Sequence, residues 1–272
     1  MISPTPYPDV NEILAILMRQ AQEILAEQFI GMYLYGSLSS GDFDPETSDI
    51  DFLVVTADLP SPEKVTALQT MHQQLWSSGR KWACKLEGSY VPKTLIRRHD
   101  PDGPPCPTLD EDAFFLDKRG SDWIIQRHIV RECGVVLAGP DPKTLIDPVS
   151  PDDIRSAVLG TLREWWFPIL EDPSWLAKRG SEYHAYAILT MCRVLHALEH
   201  GTIVSKPAAA RWAQQTLDKP WGRLIDKAVA AARHADQGDF LKETLDFIRL
   251  VRERVIDTER RKGAWQDAQN PS

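Results

Sequence analysis

The chain has 272 residues, 43% of them hydrophobic and 26% charged, and a formal charge of −8 at neutral pH. That length gives one large or two ordinary domains a well-buried core, and no apolar run approaches the roughly 18 residues that would span a bilayer. The acidic balance argues against a nucleic-acid partner, which calls for a basic face, and suits a cationic small molecule better. The first residues, Met1-Ile-Ser-Pro-Thr-Pro6, lack a basic region followed by an apolar core, so no secretion signal is expected. Cys84, Cys106, Cys133 and Cys192 form no Cys-x-x-Cys pair, which points to free thiols in the cytoplasm and against structural zinc.

In chain order, Val10, Ile13, Leu14, Leu17, Ala21, Ile24 and Leu25 recur at helical spacing and predict a helix over 10–29. Strands are expected at 31–35 and 51–56, then a helix over 62–76 capped by Ser61. A third strand holds Glu87. The stretch 97–112, rich in Pro and Asp, is too long for a simple connection and is expected to be irregular. A helix at 123–132 and a short strand at 134–139 follow, and the Pro-Asp punctuation of 140–153 marks a domain boundary. Beyond it, apolar residues at three- and four-residue intervals predict helices at 152–170, 182–200, 206–217, 220–235 and 239–258. Gly201 stands where a helix C-terminus wants a left-handed residue, and 260–272 reads as a frayed polar tail. The expectation is an α+β protein: a mixed sheet with helices over 1–150, an all-helical bundle over 151–258, and a tail over 259–272.

The densest chemistry lies between Tyr33 and Val55, where Leu-Tyr-Gly-Ser runs into a polar loop and then Asp49-Ile-Asp51 opens a second apolar run. Residues i and i+2 of a strand share a face, so Asp49 and Asp51 present two carboxylates together while Ile50 and Phe52 turn into a core. Two such carboxylates repel unless a cation lies between them, and an all-oxygen site suits Mg²⁺. Gly36 lets the backbone approach a ligand, while Ser37 and Ser48 flank the loop as candidates for phosphate oxygens. Gly36-x₄-Gly41 imitates a P-loop, but Asp42-Phe43 replaces its Lys-Ser/Thr. Glu87 is either a third carboxylate beside the pair, able to accept a proton from a metal-polarised alcohol, or an exposed strand residue paired with Lys85. Arg193, among Leu189, Thr190, His196 and Ala197, sits on a rather apolar helix face. Lys206 follows Ser205 at a helix start, where free amides favour anions. Both are candidate triphosphate cations. His184 and His196 read as structural.

The order Gly-Ser, polar loop, Asp-x-Asp resembles the signature of the polymerase-β-like nucleotidyltransferase superfamily. The segment 180–213, with Leu189-Thr-x-Cys-Arg193, Gly201-Thr-Ile-Val-Ser-Lys206 and Ala209-Ala-x-Trp-Ala213, resembles the C-terminal helical domain of aminoglycoside 3''/9 adenylyltransferases. The likeness spans roughly 10–255. It implies Mg²⁺-dependent attack of an alcohol on the α-phosphate of ATP, with Asp49 and Asp51 holding metal, Glu87 as general base, and Arg193 and Lys206 holding ATP phosphates across a domain cleft. The implied acceptor is a cationic drug of the streptomycin or spectinomycin kind. Where the family places acidic acceptor contacts, this chain reads Ala177-Lys-Arg-Gly-Ser181. Lys178 and Arg179 would repel a cation, leaving Trp175 as an aromatic wall and Glu182 or Glu171 to restore charge. The acidic loop Asp100, Asp102, Asp110, Glu111, Asp112 reads as solvated. Open alternatives are the same chemistry on another small-molecule or protein hydroxyl, and a non-catalytic nucleotide-binding module. A monomer without nucleic-acid or membrane partners is expected.

Overall fold

The computed structural model describes residues 3–232 and 240–269, with side chains described as far as Arg260. The chain divides into two compact units, Met1–Asp153 and Ile154–Ser272.

In the first unit, α1 (Pro8–Leu25) buries Val10, Ile13, Leu14, Leu17, Ala21 and Leu25. It stops at Leu25, short of the expected 29, because a 3₁₀ turn over Ala26–Gln28 redirects the chain into β1 (Phe29–Leu34). Next come α2 (Gly36–Ser40), β2 (Ile50–Thr56), α3 (Pro62–Ser77), β3 (Leu86–Pro92) and α4 (Lys93–Arg97). Ser61 caps α3, its hydroxyl accepting from the Lys64 amide. The stretch expected to be irregular over 97–112 is so over 98–105, but its end enters a hairpin, β4 (Cys106–Asp110) and β5 (Ala113–Asp117), whose tight turn holds Glu111 at a φ of 51°. Asp and Pro are poor strand formers, so this segment hid its pairing. Pro107 is tolerated there because the described β3 pairing covers only Thr108 and Leu109. After the hairpin come α5 (Asp122–Cys133), β6 (Val135–Ala138) and α6 (Pro142–Leu145).

The six strands form one mixed sheet in the order β5-β4-β3-β2-β1-β6, with β2 and β3 parallel and the other neighbours antiparallel. Strand alternation divides its side chains between two cores. Met32, Leu34, Ile50, Phe52 and Val54 pack with α1 and α3 on one face. Tyr33, Leu53, Val55 and Val91 pack with Cys106 and the α5 residues Trp123 and Val130 on the other. That second face carries the chemistry.

The boundary falls inside α7 (Pro151–Thr161). The helix expected over 152–170 is broken: a π-turn over Leu162–Trp166 leads to α8 (Pro168–Glu171), and α9 (Ser174–Ala177) follows. Pro168 lacks an amide to continue a helix through this point, so the chain steps instead. In the second unit, α10 (Ser181–His200) packs on α11 (Lys206–Thr216), α12 (Lys219–Ala231) and α13 (Leu241–Gln269). Gly201 closes α10 in the left-handed region at a φ of 66°, as expected. The last helix runs on to Gln269, through most of the segment expected to be a tail. The expected helix end at 233–235, the start at 239 and residues 270–272 lie outside the described residues.

Candidate active site

The parallel pairing of β2 and β3 sets Asp51 directly opposite Glu87. Both lie on the α5 face, since Leu53 and Val55 follow Asp51, and Ser89 and Val91 follow Glu87, at two-residue steps. The chain leaves β1 at Tyr35, whose amide donates to the Asp51 carbonyl at 3.1 Å. Gly36 then takes a φ of 63°, and a Cβ there would lie 1.9 Å from Asp51 Oδ2. Only glycine permits that backbone to rest against that carboxylate. Asp49, half-buried just before β2, is bound by Lys85, Nζ to Oδ1 3.0 Å. The alternative in which Glu87 is an exposed strand residue paired with Lys85 is not what the structure shows: Lys85 bonds Asp49. Burial pulls the Lys85 ammonium down, but the hydrogen bond and charge of Asp49 outweigh it and hold it raised.

Glu87 is pushed up to about 8, first by burial and then by the charges of Asp49, Asp51, Asp110 and Glu111. The last two stand at the hairpin tip that pairing with β3 brings beside Glu87. Among the described residues no three His, Cys, Asp or Glu side chains are gathered as around a bound ion, and Asp49 is turned to Lys85 instead. The donor set still fits a divalent cation: hard oxygen ligands, with Asp51 and Glu87 paired across two strands and the Asp49 carboxylate just before β2.

Ser37 lies half-buried in α2. The Ser48 hydroxyl accepts from the Asp44 amide at 3.0 Å and so keeps its own O–H for another partner. Two residues without motif signal share this face. The Tyr35 phenol is pushed up by burial and then by Asp51, with Arg119 pulling the other way and Glu87 and Asp122 adding to the rise. Arg119, between β5 and α5, bonds Thr108 Oγ1 at 2.7 Å. Nothing in their spacing along the chain singles them out.

In the second unit, Arg193 is half-buried midway along α10. Lys206 opens α11 behind the Ser205 cap, its Nζ 4.2 Å over the Tyr186 ring. Glu182 is exposed in the first turn of α10. Trp175 belongs to a row of rings, 5.2 Å from Trp165 and 5.0 Å from Tyr183, which continues to Tyr186 at 5.2 Å. Arg179 covers this row, 4.7 Å from Trp175 and 5.7 Å from Tyr183. His184 is buried on the Leu176 carbonyl at 3.2 Å, and His196 meets Trp212 edge to face, ring centres 5.2 Å apart; both are structural, as expected.

Residues 18–100 match the family model described as "Nucleotidyltransferase domain", and 144–255 match "Aminoglycoside adenylyltransferase, C-terminal domain". The chain belongs to the aminoglycoside adenylyltransferase family. Its likeness to curated members runs nearly end to end. It is 26% identical over 266 residues to an aminoglycoside (3'') (9) adenylyltransferase of Klebsiella pneumoniae, covering 91% of this chain and 95% of that protein. With a spectinomycin 9-adenylyltransferase of Campylobacter jejuni it shares 23% identity, covering 90% and 94%. The crystal structure of a spectinomycin adenyltransferase from Enterococcus faecalis, solved with ATP and spectinomycin, has the same fold. Its TM-score is 0.65 at 16% identity, over 88% of this chain and 98% of that one. As an adenylyltransferase-family member the chain is a nucleotidyltransferase enzyme. The nucleotidyltransferase match takes in Gly36, Ser37, Ser48, Asp49, Asp51 and Glu87; the C-terminal match takes in Trp175, Glu182, Arg193 and Lys206.

Proposed function

We propose that this protein transfers AMP from ATP to a hydroxyl of an aminoglycoside-type acceptor and releases pyrophosphate. The observation that carries this reading is the registration of Asp51 against Glu87, with Gly36 pressed on the Asp51 carboxylate. Asp49 and Asp51 would hold Mg²⁺, which when bound polarises the acceptor oxygen and offsets charge on the triphosphate. Asp49 would exchange its bond to Lys85 for that role, and Glu87, raised by burial and the neighbouring carboxylates, would titrate lower once their charge is offset. Glu87 then removes the acceptor hydroxyl proton, the freed oxygen attacks the α-phosphorus, and the bond to the β-phosphate oxygen breaks. Gly36, Ser37 and Ser48 are assigned to the β- and γ-phosphates. Arg193 and Lys206, in the second unit, are assigned to the ATP phosphates by residue type and motif position. Trp175 and Glu182 are assigned to the acceptor.

A second reading keeps this chemistry with a less cationic acceptor. It draws support from Arg179, whose guanidinium already covers the Trp175 and Tyr183 rings that a cationic acceptor would use. The four cysteines are free, and no described helix is long and apolar enough to cross a membrane; both suit a cytoplasmic enzyme, taken here to be a monomer. The test is incubation with MgATP and spectinomycin, streptomycin or uncharged polyols. Pyrophosphate and a product heavier by one AMP are measured, with Asp49→Asn as control. Pyrophosphate release with spectinomycin supports the first reading, and turnover confined to uncharged acceptors supports the second. ATP binding without any turnover would leave a nucleotide-binding module and refute both.

A further inference from the structure

Past the C-terminal end of β3, the chain forms α4 and then passes Arg98 and His99. Together with α5 and the segment from Asp147 to Asp153, they border a cleft of about 570 Å³, a volume in the range of small-molecule sites. Its buried wall is Arg127 of α5, which is 4% exposed. Arg127 Nε donates to the Ile96 carbonyl at 2.7 Å, and Nη2 donates to the Arg97 carbonyl. These carbonyls end α4 and satisfy donors, but they carry no full charge to balance a buried cation. Among the described residues no carboxylate stands within ion-pairing distance of Arg127.

Both aspartates of the cleft are already engaged. Asp147 Oδ1 accepts from Arg97 Nη1 at 3.0 Å, and its Oδ2 accepts from Arg98 Nε at 2.6 Å. Asp153 Oδ2 accepts from the Ser150 amide at 3.0 Å and from its hydroxyl at 2.7 Å. Arg97, Arg98 and Arg127 thus stand against Asp147 and Asp153, one positive charge in excess, within a chain whose total is −8. Arg98 spends Nε on Asp147, its side chain is 82% exposed, and both its Nη groups remain for a ligand. Ile124 and Val149 add an apolar surface beside these charges.

The geometry points to a second ligand site, for a small molecule that joins a carboxylate or phosphate group to an apolar body. The oxyanion meets Arg98 and Arg127, as guanidinium groups favour, and the apolar part lies on Ile124 and Val149. The site is separate from the catalytic one: Asp51 and Glu87 stand near the N-terminal ends of the parallel strands β2 and β3, and this cleft lies beyond the other end of β3.

The test is isothermal titration calorimetry of the full chain without Mg²⁺, with phenyl phosphate and benzoate as probes. Wild type is compared with Arg98→Ala, Val149→Trp, Arg127→Gln and Ser37→Ala. At least one probe is expected to bind, and the tighter of the two tells phosphate from carboxylate. Arg98→Ala should weaken binding roughly tenfold or more, and Val149→Trp, which fills the apolar part of the cleft, should abolish it. Arg127→Gln should cost at least as much as Arg98→Ala; if it does not fold, the Arg98 and Val149 variants decide. Ser37→Ala, in the loop assigned to ATP phosphates, should leave binding unchanged. No heat from either probe overturns the inference, as does equal affinity in wild type, Arg98→Ala and Val149→Trp. Loss of binding in Ser37→Ala alone would put the probe at the nucleotide loop and overturn it too.

Discussion

Glu87 holds its proton because three kinds of neighbour act in one direction: a partly buried strand, the Asp49 and Asp51 pair, and the acidic hairpin tip. Its folded pKa, about 8, lies above the ordinary 4.5, so the native state binds more protons than the unfolded chain between those values. Stability of the metal-free protein should therefore fall as pH rises from about 5 to 8. Glu87→Gln is expected to flatten that slope, raising the melting temperature at pH 8 by about 3 °C or more. In the presence of Mg²⁺ the same variant should lose roughly 10²- to 10⁴-fold in kcat while calorimetry finds ATP affinity little changed. A kcat within a few-fold of wild type would remove Glu87 from the base role. Gly36 is the other decisive position. Gly36→Ala meets the Asp51 carboxylate at 1.9 Å and a positive φ at once, and should cost about 1–3 kcal/mol along with turnover, read by urea titration and pyrophosphate release.

At the scale of elements, the site depends on how closely β2 and β3 pair. A Cβ on Gly88 would lie 2.2 Å from the Phe52 carbonyl oxygen and 2.6 Å from its ring. Gly88→Ala must part the two strands one residue beyond the Asp51–Glu87 pair. Stability and turnover should fall together, the former by about 1–3 kcal/mol. The opposite face offers a control. His72 of α3 meets the Tyr90 hydroxyl of β3 at 2.8 Å, and burial pulls the imidazole down to about 3. Tyr90→Phe orphans that nitrogen and should cost about 1–3 kcal/mol with kcat preserved. Loss of kcat there would mean that the two faces are not independent.

For the molecule as a whole, charge is the readable quantity. A net −8 attracts cationic acceptors over distance and is screened by salt. With a cationic aminoglycoside, kcat/KM should fall roughly threefold or more between about 20 and 300 mM NaCl, whereas an uncharged acceptor should show little change. A flat salt profile with spectinomycin would favour the reading in which Lys178 and Arg179 cancel the acidic field at the acceptor's docking surface.

The sequence by itself determined whatever short-range chemistry controls. Asp49 and Asp51 stand two residues apart at the mouth of β2, Ser61 starts a helix and Gly201 ends one by their own side-chain and backbone properties, and Gly36 marks a close approach. These depend on neighbours along the chain, so periodicity and residue type suffice. Only the tertiary structure decided that Glu87 faces Asp51, that Lys85 serves Asp49, that the end of the Pro- and Asp-rich stretch turns into a hairpin leaning its acids on the base, and that Arg119 bonds Thr108 across that hairpin. Each of these turns on strand register and on which charges are buried together. Such properties arise from contacts between segments far apart in the chain, whose free energy no local pattern encodes.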